Sequence, residues 1–140
     1  MNLRQQLISI ALEWQKRFGV APAITSALSE YDAAILVGCP EEEYSYYMQD
    51  KTAVSKGADF IHDGIKYQVK ANRPSGKPGS PVTKVAMANN YEWDYLIWIH
   101  YTTDYEVKEA WLWKVEDYRR DFDSLSRLSP KDMRKGTRLK

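Results

Sequence analysis

Apolar and polar positions divide the first third of the chain into two helices. Over residues 2–18 apolar side chains recur at three- and four-residue spacing, a pattern typical of an amphipathic helix, and Gly19 ends it. A second pattern of this kind starts at about residue 22 or 25 and runs to 37, where Gly38 predicts its end. The expected core stripe of this second helix is Ile24, Leu28, Tyr31 and Ile35.

Extended patterns dominate the rest of the chain. Residues 58–71 read as a β-hairpin around Asp63-Gly64, a strong two-residue turn signal. The apolar run 93–101 predicts a buried central strand, and 106–114 predicts another strand. For the remaining segments we expect a strand or an ordered loop over 44–56, a short helix from 82 or 83 to 89 and a short helix over 115–122. Together these elements predict an α/β fold, a mixed sheet flanked by helices.

The turn at Asp63-Gly64 also predicts the register of the hairpin. In that register Asp59 lies opposite Gln68, and Asp59, Gln68 and Lys70 share one face. Opposed Cβ atoms lie about 4.5–5.5 Å apart, a gap that suits one hard cation between a carboxylate and an amide oxygen. The other face is apolar and can meet a core; it carries Ala58, Phe60, Ile65, Tyr67, Val69 and Ala71.

A strand Asp followed by an amide or acidic residue, any residue and a Lys resembles the PD-(D/E)XK nuclease superfamily. The spacing is most similar to that of small type II restriction endonucleases. This chain has Gly57-Ala58-Asp59 where that family often has Pro-Asp, and Gln68-Val69-Lys70 where it usually has an acidic residue before x-Lys. Some members of the superfamily have Gln there, whereas some relatives with degraded sites have lost catalysis. The resemblance covers residues 22–115 and implies a restriction-endonuclease-like mixed β-sheet flanked by helices.

The resemblance implies a role for each polar residue. Asp59 would be the central metal ligand and Gln68 a neutral oxygen ligand, while Lys70 would position the attacking water and stabilise charge on the phosphate. In the family a Glu from the first core helix often joins the metal ligands, and here Glu30 matches it, with Glu13 as the alternative donor. The expected cofactor is Mg²⁺, with Mn²⁺ also tolerated, bound more weakly than by a site with a second strand carboxylate.

A basic loop follows the strand that carries Lys70. Residues 72–81 are rich in Pro, Gly and Ser, and glycine lets backbone N–H groups approach phosphate closely. This location favours DNA contact over a plain connection, and Arg73 could read guanine in the major groove. A second basic stretch, 127–140, is either another DNA-binding surface or a solvated tail. The candidate DNA-binding residues are Asn72, Arg73, Ser75, Lys77 and Lys84.

Length and composition bound the remaining possibilities. A chain of 140 residues with 44% hydrophobic residues is expected to form a single domain, with an N-terminal helix at 1–20, a core at 22–115 and a basic segment at 116–140. Cys39 is the only cysteine, which excludes an internal disulfide and a Cys-rich zinc site, and no Ser/His/Asp or Cys/His set has a recognisable context. Without an apolar run of about 18 residues or a signal-peptide core, we expect a cytoplasmic protein with no membrane partner.

These observations predict a Mg²⁺-dependent endonuclease that hydrolyses phosphodiester bonds in double-stranded DNA. Cutting both strands requires two sites, so we expect a homodimer, with the helix at 2–18 as its extra interface element. Two alternatives stay open. One is a junction resolvase or an intron- or phage-encoded endonuclease of the same fold. The other is a catalytically inactive DNA-binding module, which Gln68 favours, whereas Asp59 and Lys70 favour the enzyme.

Overall fold

A computed structural model describes residues 1–50 and 57–140 of the chain. Within these residues five helices flank one sheet, and their bounds are α1, Leu3–Phe18; α2, Thr25–Leu36; α3, Glu41–Gln49; α4, Val115–Phe122; and α5, Pro130–Met133. Two local signals define α1. Asn2 and Gln5 form a capping box at its start, and Gly19 adopts φ 89° at its end, a left-handed conformation that glycine accommodates without steric cost.

The sheet has five strands in the order β1-β2-β3-β4-β5. Their bounds are β1, Phe60–His62; β2, Ile65–Asn72; β3, Tyr95–Tyr101; β4, Val107–Lys114; and β5, Thr137–Arg138. Only β2 and β3 run parallel; the other neighbours are antiparallel. The prediction of an α/β protein with a mixed sheet and flanking helices is therefore confirmed, and β5 brings the basic C-terminal segment into the sheet.

The predicted register of the hairpin is confirmed. The pairs are Phe60 with Tyr67, Ile61 with Lys66 and His62 with Ile65. The turn follows from the positive φ values of Asp63, 52°, and Gly64, 74°, which two-residue hairpins of this type require. The expected next pair, Asp59 with Gln68, does not form: the backbone N–H of Asp59 donates to the carbonyl of Tyr67 at 2.8 Å, which shifts the chain before β1 by one position.

A separate core lies on each face of the sheet. On one face α1, α2 and α3 cover a cluster that includes Phe60, Tyr67 and Val69, as the alternation along the hairpin predicts. On the other face a cluster with Trp98 and Trp113 packs beneath the segments around α4 and α5. The strand β3 is buried from Leu96 to Tyr101 and contributes to both clusters, which is why its sequence reads as a continuous apolar run.

Two of the expected segments are wrong. Residues 44–49 belong to α3 rather than to a strand or loop, because Pro40 precedes a first turn of three glutamates, which favour a helix N-terminus. Residues 51–56 lie outside the described part. The expected helix at 82–89 does not form. The segment has no regular structure apart from an isolated bridge at Val85, which is buried and whose N–H donates to the Leu128 carbonyl at 3.0 Å.

The faces that two helices bury match the expected stripes only in part. In α2 the expected core residue Leu28 is buried, but Ala33 and Ala34 are buried with it and Ile35 is 43% exposed. The small alanines lie against the core, and Ile35 lies on the outer side of the helix. In α1 only Ala11 is fully buried, and most of the apolar stripe faces outward. No helix in the described residues is long and apolar enough to span a membrane.

Candidate functional site

The candidate site lies at the edge of β2, next to the N-terminal end of β1. Because β1 pairs only with residues 65–67, none of the described strands lies beside β2 on that side from Gln68 onward. A cavity of about 320 Å³ opens there, between α2 and the strand. Its lining contains all four residues that the sequence predicts as catalytic, and the full set is Thr25, Ser26, Ser29, Glu30, Asp59, Gln68, Val69, Lys70, Ala71 and Ala86.

Asp59 is attached to β2 by two hydrogen bonds. Its backbone N–H donates to the Tyr67 carbonyl at 2.8 Å, and its side-chain Oδ2 accepts from the Val69 N–H at 2.7 Å. Residues 67 and 69 present their backbone groups to the same edge of the strand, so the carboxylate takes a position that a partner strand's carbonyl would otherwise occupy. This bond holds one carboxylate oxygen, and none of the described residues donates a hydrogen bond to Oδ1.

Gln68 and Lys70 come from alternate positions of β2. The parallel register places them beside Leu96 and Trp98 of β3, on the face opposite Tyr67 and Val69. Both side chains are half-buried. Within residues 1–50 and 57–140 neither side chain makes a hydrogen bond or an ion pair, so their polar ends stand at the cavity without a protein partner in that part of the chain.

The fourth lining residue, Glu30, comes from α2. Ala33 and Ala34 are fully buried on the sheet side of this helix, and this close packing brings the half-buried Glu30 to the open edge of β2. The alternative donor, Glu13, does not line the cavity: it lies exposed on α1, where it pairs with Arg17 at 3.8 Å. The structure therefore brings together the carboxylates of Asp59 and Glu30, not Glu13.

Two tyrosines of α3 lie near these carboxylates, and the sequence did not single them out. Burial raises the pKa of Tyr47, and the negative charges of Asp59 and Glu30 raise it further. The pKa of Tyr44 is raised by burial and by the same two charges. The Tyr47 hydroxyl is buried and has no hydrogen-bond partner in the described residues. An interpretation of 41–49 as a helix would have placed both rings on one face, at i and i+3.

Some of the predicted DNA-binding residues make hydrogen bonds within the protein, whereas others face solvent. Arg73 donates from Nε to the Thr103 carbonyl at 3.0 Å and from Nη2 to Gln15 Oε1 at 2.7 Å, and its guanidinium lies 4.3 Å from the centroid of the Tyr105 ring. Asn72 is equally engaged: it donates to the Lys84 carbonyl and accepts from Trp98 Nε1 at 2.9 Å.

Three of the predicted DNA-binding residues are exposed. Lys77 and Lys84 extend from the loop into solvent, and Ser75 accepts a hydrogen bond from the Lys77 N–H through its hydroxyl. In the C-terminal basic stretch several cations have internal partners: Arg134 pairs with Glu109 and Arg138 lies over the Trp111 ring. Of the predicted DNA-binding residues, Lys77 and Lys84 therefore carry the accessible positive charge.

The donor set of the cavity suits a hard divalent cation. Carboxylate and amide oxygens are the ligands that Mg²⁺ and Mn²⁺ prefer, and Asp59, Glu30 and Gln68 supply three of them. An ammonium group such as that of Lys70 adds positive charge without competing for the metal.

No protein-family model matches this chain, and no curated protein matches it. The functional conclusion therefore depends on the chemistry of this cavity.

Proposed function

We propose that this protein is a metal-dependent DNA endonuclease with a restriction-endonuclease-like fold. The observation that carries the proposal is that four polar residues from different elements line one cavity. Glu30 comes from α2, Asp59 immediately precedes β1, and β2 carries both Gln68 and Lys70. Packing alone gives no reason for two carboxylates, an amide and an ammonium to meet at a sheet edge. Hydrolysis of a phosphodiester uses these groups together.

In this proposal Asp59, Glu30 and Gln68 hold Mg²⁺ or Mn²⁺. A bound divalent ion lowers the pKa of its water and neutralises charge that develops on the phosphate oxygens. The protein's part is to present the oxygen ligands in a fixed arrangement, and the hydrogen bond from Val69 to the Asp59 carboxylate does this for the central ligand. Because Gln68 is neutral, the site carries less negative charge than one with a second strand carboxylate and attracts the cation less strongly.

Lys70 is the residue that acts on the reacting groups in this proposal. Its ammonium orients the attacking water and donates to a phosphate oxygen, where it offsets the negative charge that builds up as water attacks. The half-buried position of its side chain strengthens this effect, because charges at a partly desolvated site interact more strongly than in bulk water. The neighbouring Lys77 and Lys84 would hold the DNA backbone beside the cavity.

The proposal includes a homodimer, because one cavity per chain cuts one strand at a time. The outward apolar stripe of α1 supports this part. Its members are large and well exposed: Leu3 79%, Ile10 64%, Trp14 49% and Phe18 59%. Exposed apolar side chains that form a contiguous patch are typical of a protein contact surface. A two-fold pairing through this helix would join two cavities in one particle.

Cleavage of plasmid and branched DNA in Mg²⁺, Mn²⁺ or EDTA tests the proposal. We expect divalent-dependent cleavage by the wild type and loss of cleavage, with folding intact, in Lys70→Met, which keeps the length of the side chain but removes the charge. Lys108→Met, which changes an exposed lysine on β4, is the matched control and should cleave as the wild type does. Full activity of Lys70→Met would remove the lysine from the mechanism.

Gln68 favours a second candidate function, a catalytically inactive module that binds DNA. This alternative requires binding without cleavage in either metal. Cleavage restricted to branched DNA would instead identify a junction resolvase on the same fold. The three outcomes differ in the same assay, since the resolvase cuts only branched DNA, the inactive module cuts neither substrate, and the proposed endonuclease cuts unbranched duplex DNA.

A further inference from the structure

A second group of possible metal ligands lies where the start of α3 meets the end of β1. Cys39 lies between α2 and α3, Glu43 is in the first turn of α3, and His62 ends β1. The Cys39 thiol donates to Glu43 Oε2 at 3.0 Å, and His62 Nδ1 lies 2.7 Å from the same oxygen. All three potential ligand atoms lie within 4.8 Å of one another, and among the described residues no other such group of histidine, cysteine and acidic side chains occurs.

The chemistry of these three atoms differs from that of the cavity at Asp59. Sulfur and imidazole nitrogen suit zinc and related transition metals, whereas Mg²⁺ prefers oxygen ligands. Zinc bonds of about 2.0–2.3 Å in a tetrahedron separate neighbouring ligand atoms by about 3.3–3.6 Å. The observed separations, from 2.7 Å to at most 4.8 Å, bracket this range, so small side-chain rotations would bring the three atoms onto a common ion.

The other ring nitrogen of His62 provides an independent observation. Its Nε2 lies 3.3 Å from the carboxylate of Asp63. Metal-bound histidines commonly donate their second N–H to a carboxylate, which fixes the ring orientation and the tautomer. Here the turn residue Asp63 orients the ring so that Nδ1 points toward Cys39 and Glu43. A carboxylate behind the imidazole is the arrangement expected behind a metal ligand.

We propose that Cys39, Glu43 and His62 form a binding site for a zinc-type divalent transition metal, with a water molecule completing the coordination and Asp63 supporting His62. Binding forms one bond to each ligand atom and breaks the two hydrogen bonds to Glu43. The proton of the Cys39 thiol and the proton that His62 Nδ1 shares with Glu43 both pass to solvent, because thiolate sulfur and a deprotonated ring nitrogen are the metal ligands. The ion would connect the α2–α3 segment and α3 to the hairpin. It would thereby hold Tyr44 and Tyr47 of α3 in place near Asp59. The inference does not depend on the proposed nuclease activity.

Direct metal titration tests the site. Adding Co²⁺ to the whole purified protein should produce visible d–d bands together with a thiolate-to-cobalt charge-transfer band, and Zn²⁺ should abolish both by displacement. Zn²⁺ should also raise the melting temperature, because a ligand that binds only the folded state stabilises it. Mg²⁺, which has little affinity for sulfur and nitrogen ligands, should neither produce these bands nor displace Co²⁺ from the site. Absence of the charge-transfer band and of a Zn²⁺-dependent shift in melting temperature would overturn the proposal.

Variants locate the metal. Glu43 is exposed, so Glu43→Gln should fold, and it should weaken Co²⁺ binding at least about tenfold; Glu42→Gln, at the adjacent exposed position, should bind as the wild type does. Asp63→Asn should weaken binding about ten- to a hundredfold. Cys39→Ser should remove the charge-transfer band. Equal Co²⁺ affinity of the Glu43→Gln and Glu42→Gln variants would overturn the assignment, and so would a charge-transfer band that survives in Cys39→Ser.

Discussion

The Asp59 carboxylate accepts a hydrogen bond from the Val69 backbone N–H at 2.7 Å. This bond ties the central candidate ligand to the strand that also carries Gln68 and Lys70. The strand therefore positions three of the four residues predicted as catalytic, and α2 contributes the fourth, Glu30. A change in the side chain of Asp59 consequently affects two properties, the charge of the site and the attachment of the chain before β1.

Substitutions at Asp59 should separate these two properties. Asp59→Asn keeps an oxygen that accepts from Val69 but removes the charge, so we expect loss of DNA cleavage with nearly unchanged thermal stability. Asp59→Ala removes the hydrogen bond as well and should lower the free energy of unfolding by roughly 1–2 kcal/mol. Nuclease assays and denaturant unfolding measure the two effects. Equal stability of the two variants would show that the bond to Val69 contributes nothing to folding.

Gln68→Glu should strengthen the binding of Mg²⁺. The added carboxylate increases the negative charge at the cavity, and we expect affinity to rise about tenfold, which corresponds to about 1.4 kcal/mol. Isothermal titration calorimetry measures this change. Gln6→Glu adds the same charge at an exposed position of α1 and serves as the control. If both variants bind Mg²⁺ as the wild type does, Gln68 is not a metal ligand.

The salt dependence of DNA binding should identify the phosphate contacts. On duplex DNA each contact contributes about −0.9 to the slope of log affinity against log salt concentration, so Lys77→Ala should reduce the magnitude of the slope by about one. Titrations in Ca²⁺, with Lys16→Ala on α1 as the control, measure this slope. If the slopes of the Lys77→Ala and wild-type proteins are identical, the loop is a structural connection.

Arg73 needs a different experiment, because its guanidinium already contacts Thr103, Gln15 and Tyr105. If it reads a base, Arg73→Ala should weaken binding to the preferred sequence more than to random DNA. Loss of its internal contacts should also lower the melting temperature. Lower stability with equal losses on both DNAs would assign Arg73 to the fold alone.

Trp14→Glu should convert the proposed dimer to a monomer. Trp14 lies in the outward apolar stripe of α1, with its ring centroid 4.8 Å from that of Phe18, and a charge there would be buried in the interface at high cost. Sedimentation analysis measures the mass of the particle in solution. Ser9→Glu places the same charge on a polar face of the helix and should leave the dimer intact. A wild-type protein that sediments as a monomer would refute this part of the proposal.

Glu109 should contribute stability that disappears in acid. This buried carboxylate accepts from Arg134 at 2.7 and 2.8 Å, and these bonds, with those from His100 and Trp111, lower its pKa from 4.5 to about 2. Because folding lowers the pKa of this carboxyl group, its charge stabilises the folded state at pH values above the ordinary pKa of 4.5. This contribution is lost as the pH falls toward 2. Glu109→Gln should therefore be less stable than the wild type by roughly 1–3 kcal/mol at pH 7.

The difference between wild type and Glu109→Gln should shrink between pH 5 and pH 2. Denaturant unfolding over this range measures it. Glu106→Gln, which changes an exposed carboxylate near the start of β4, should follow the wild type throughout. A constant difference between Glu109→Gln and the wild type at every pH would mean that the charge of Glu109 is not the source of its stabilisation.

The sequence by itself determined the elements whose geometry is local. The Asp63-Gly64 turn and the alternation of apolar residues predicted the register of the hairpin, and that register placed Gln68 and Lys70 on one face of β2. Both long helices and the buried strand β3 also follow from short-range patterns. In each case residues a few positions apart carry the information, because turn conformation and side-chain periodicity are properties of the local backbone.

Only the tertiary structure decided which distant residues meet. Glu30 rather than Glu13 reaches the cavity because buried alanines bring α2 close to the sheet, and the Cys39–Glu43–His62 group forms because α3 packs on β1. The segment at 82–89 is not helical, and its one bridge joins Val85 to Leu128, more than forty positions later. These contacts depend on how complete elements pack against one another, and that packing minimises the exposed apolar surface of the whole chain rather than of any one segment.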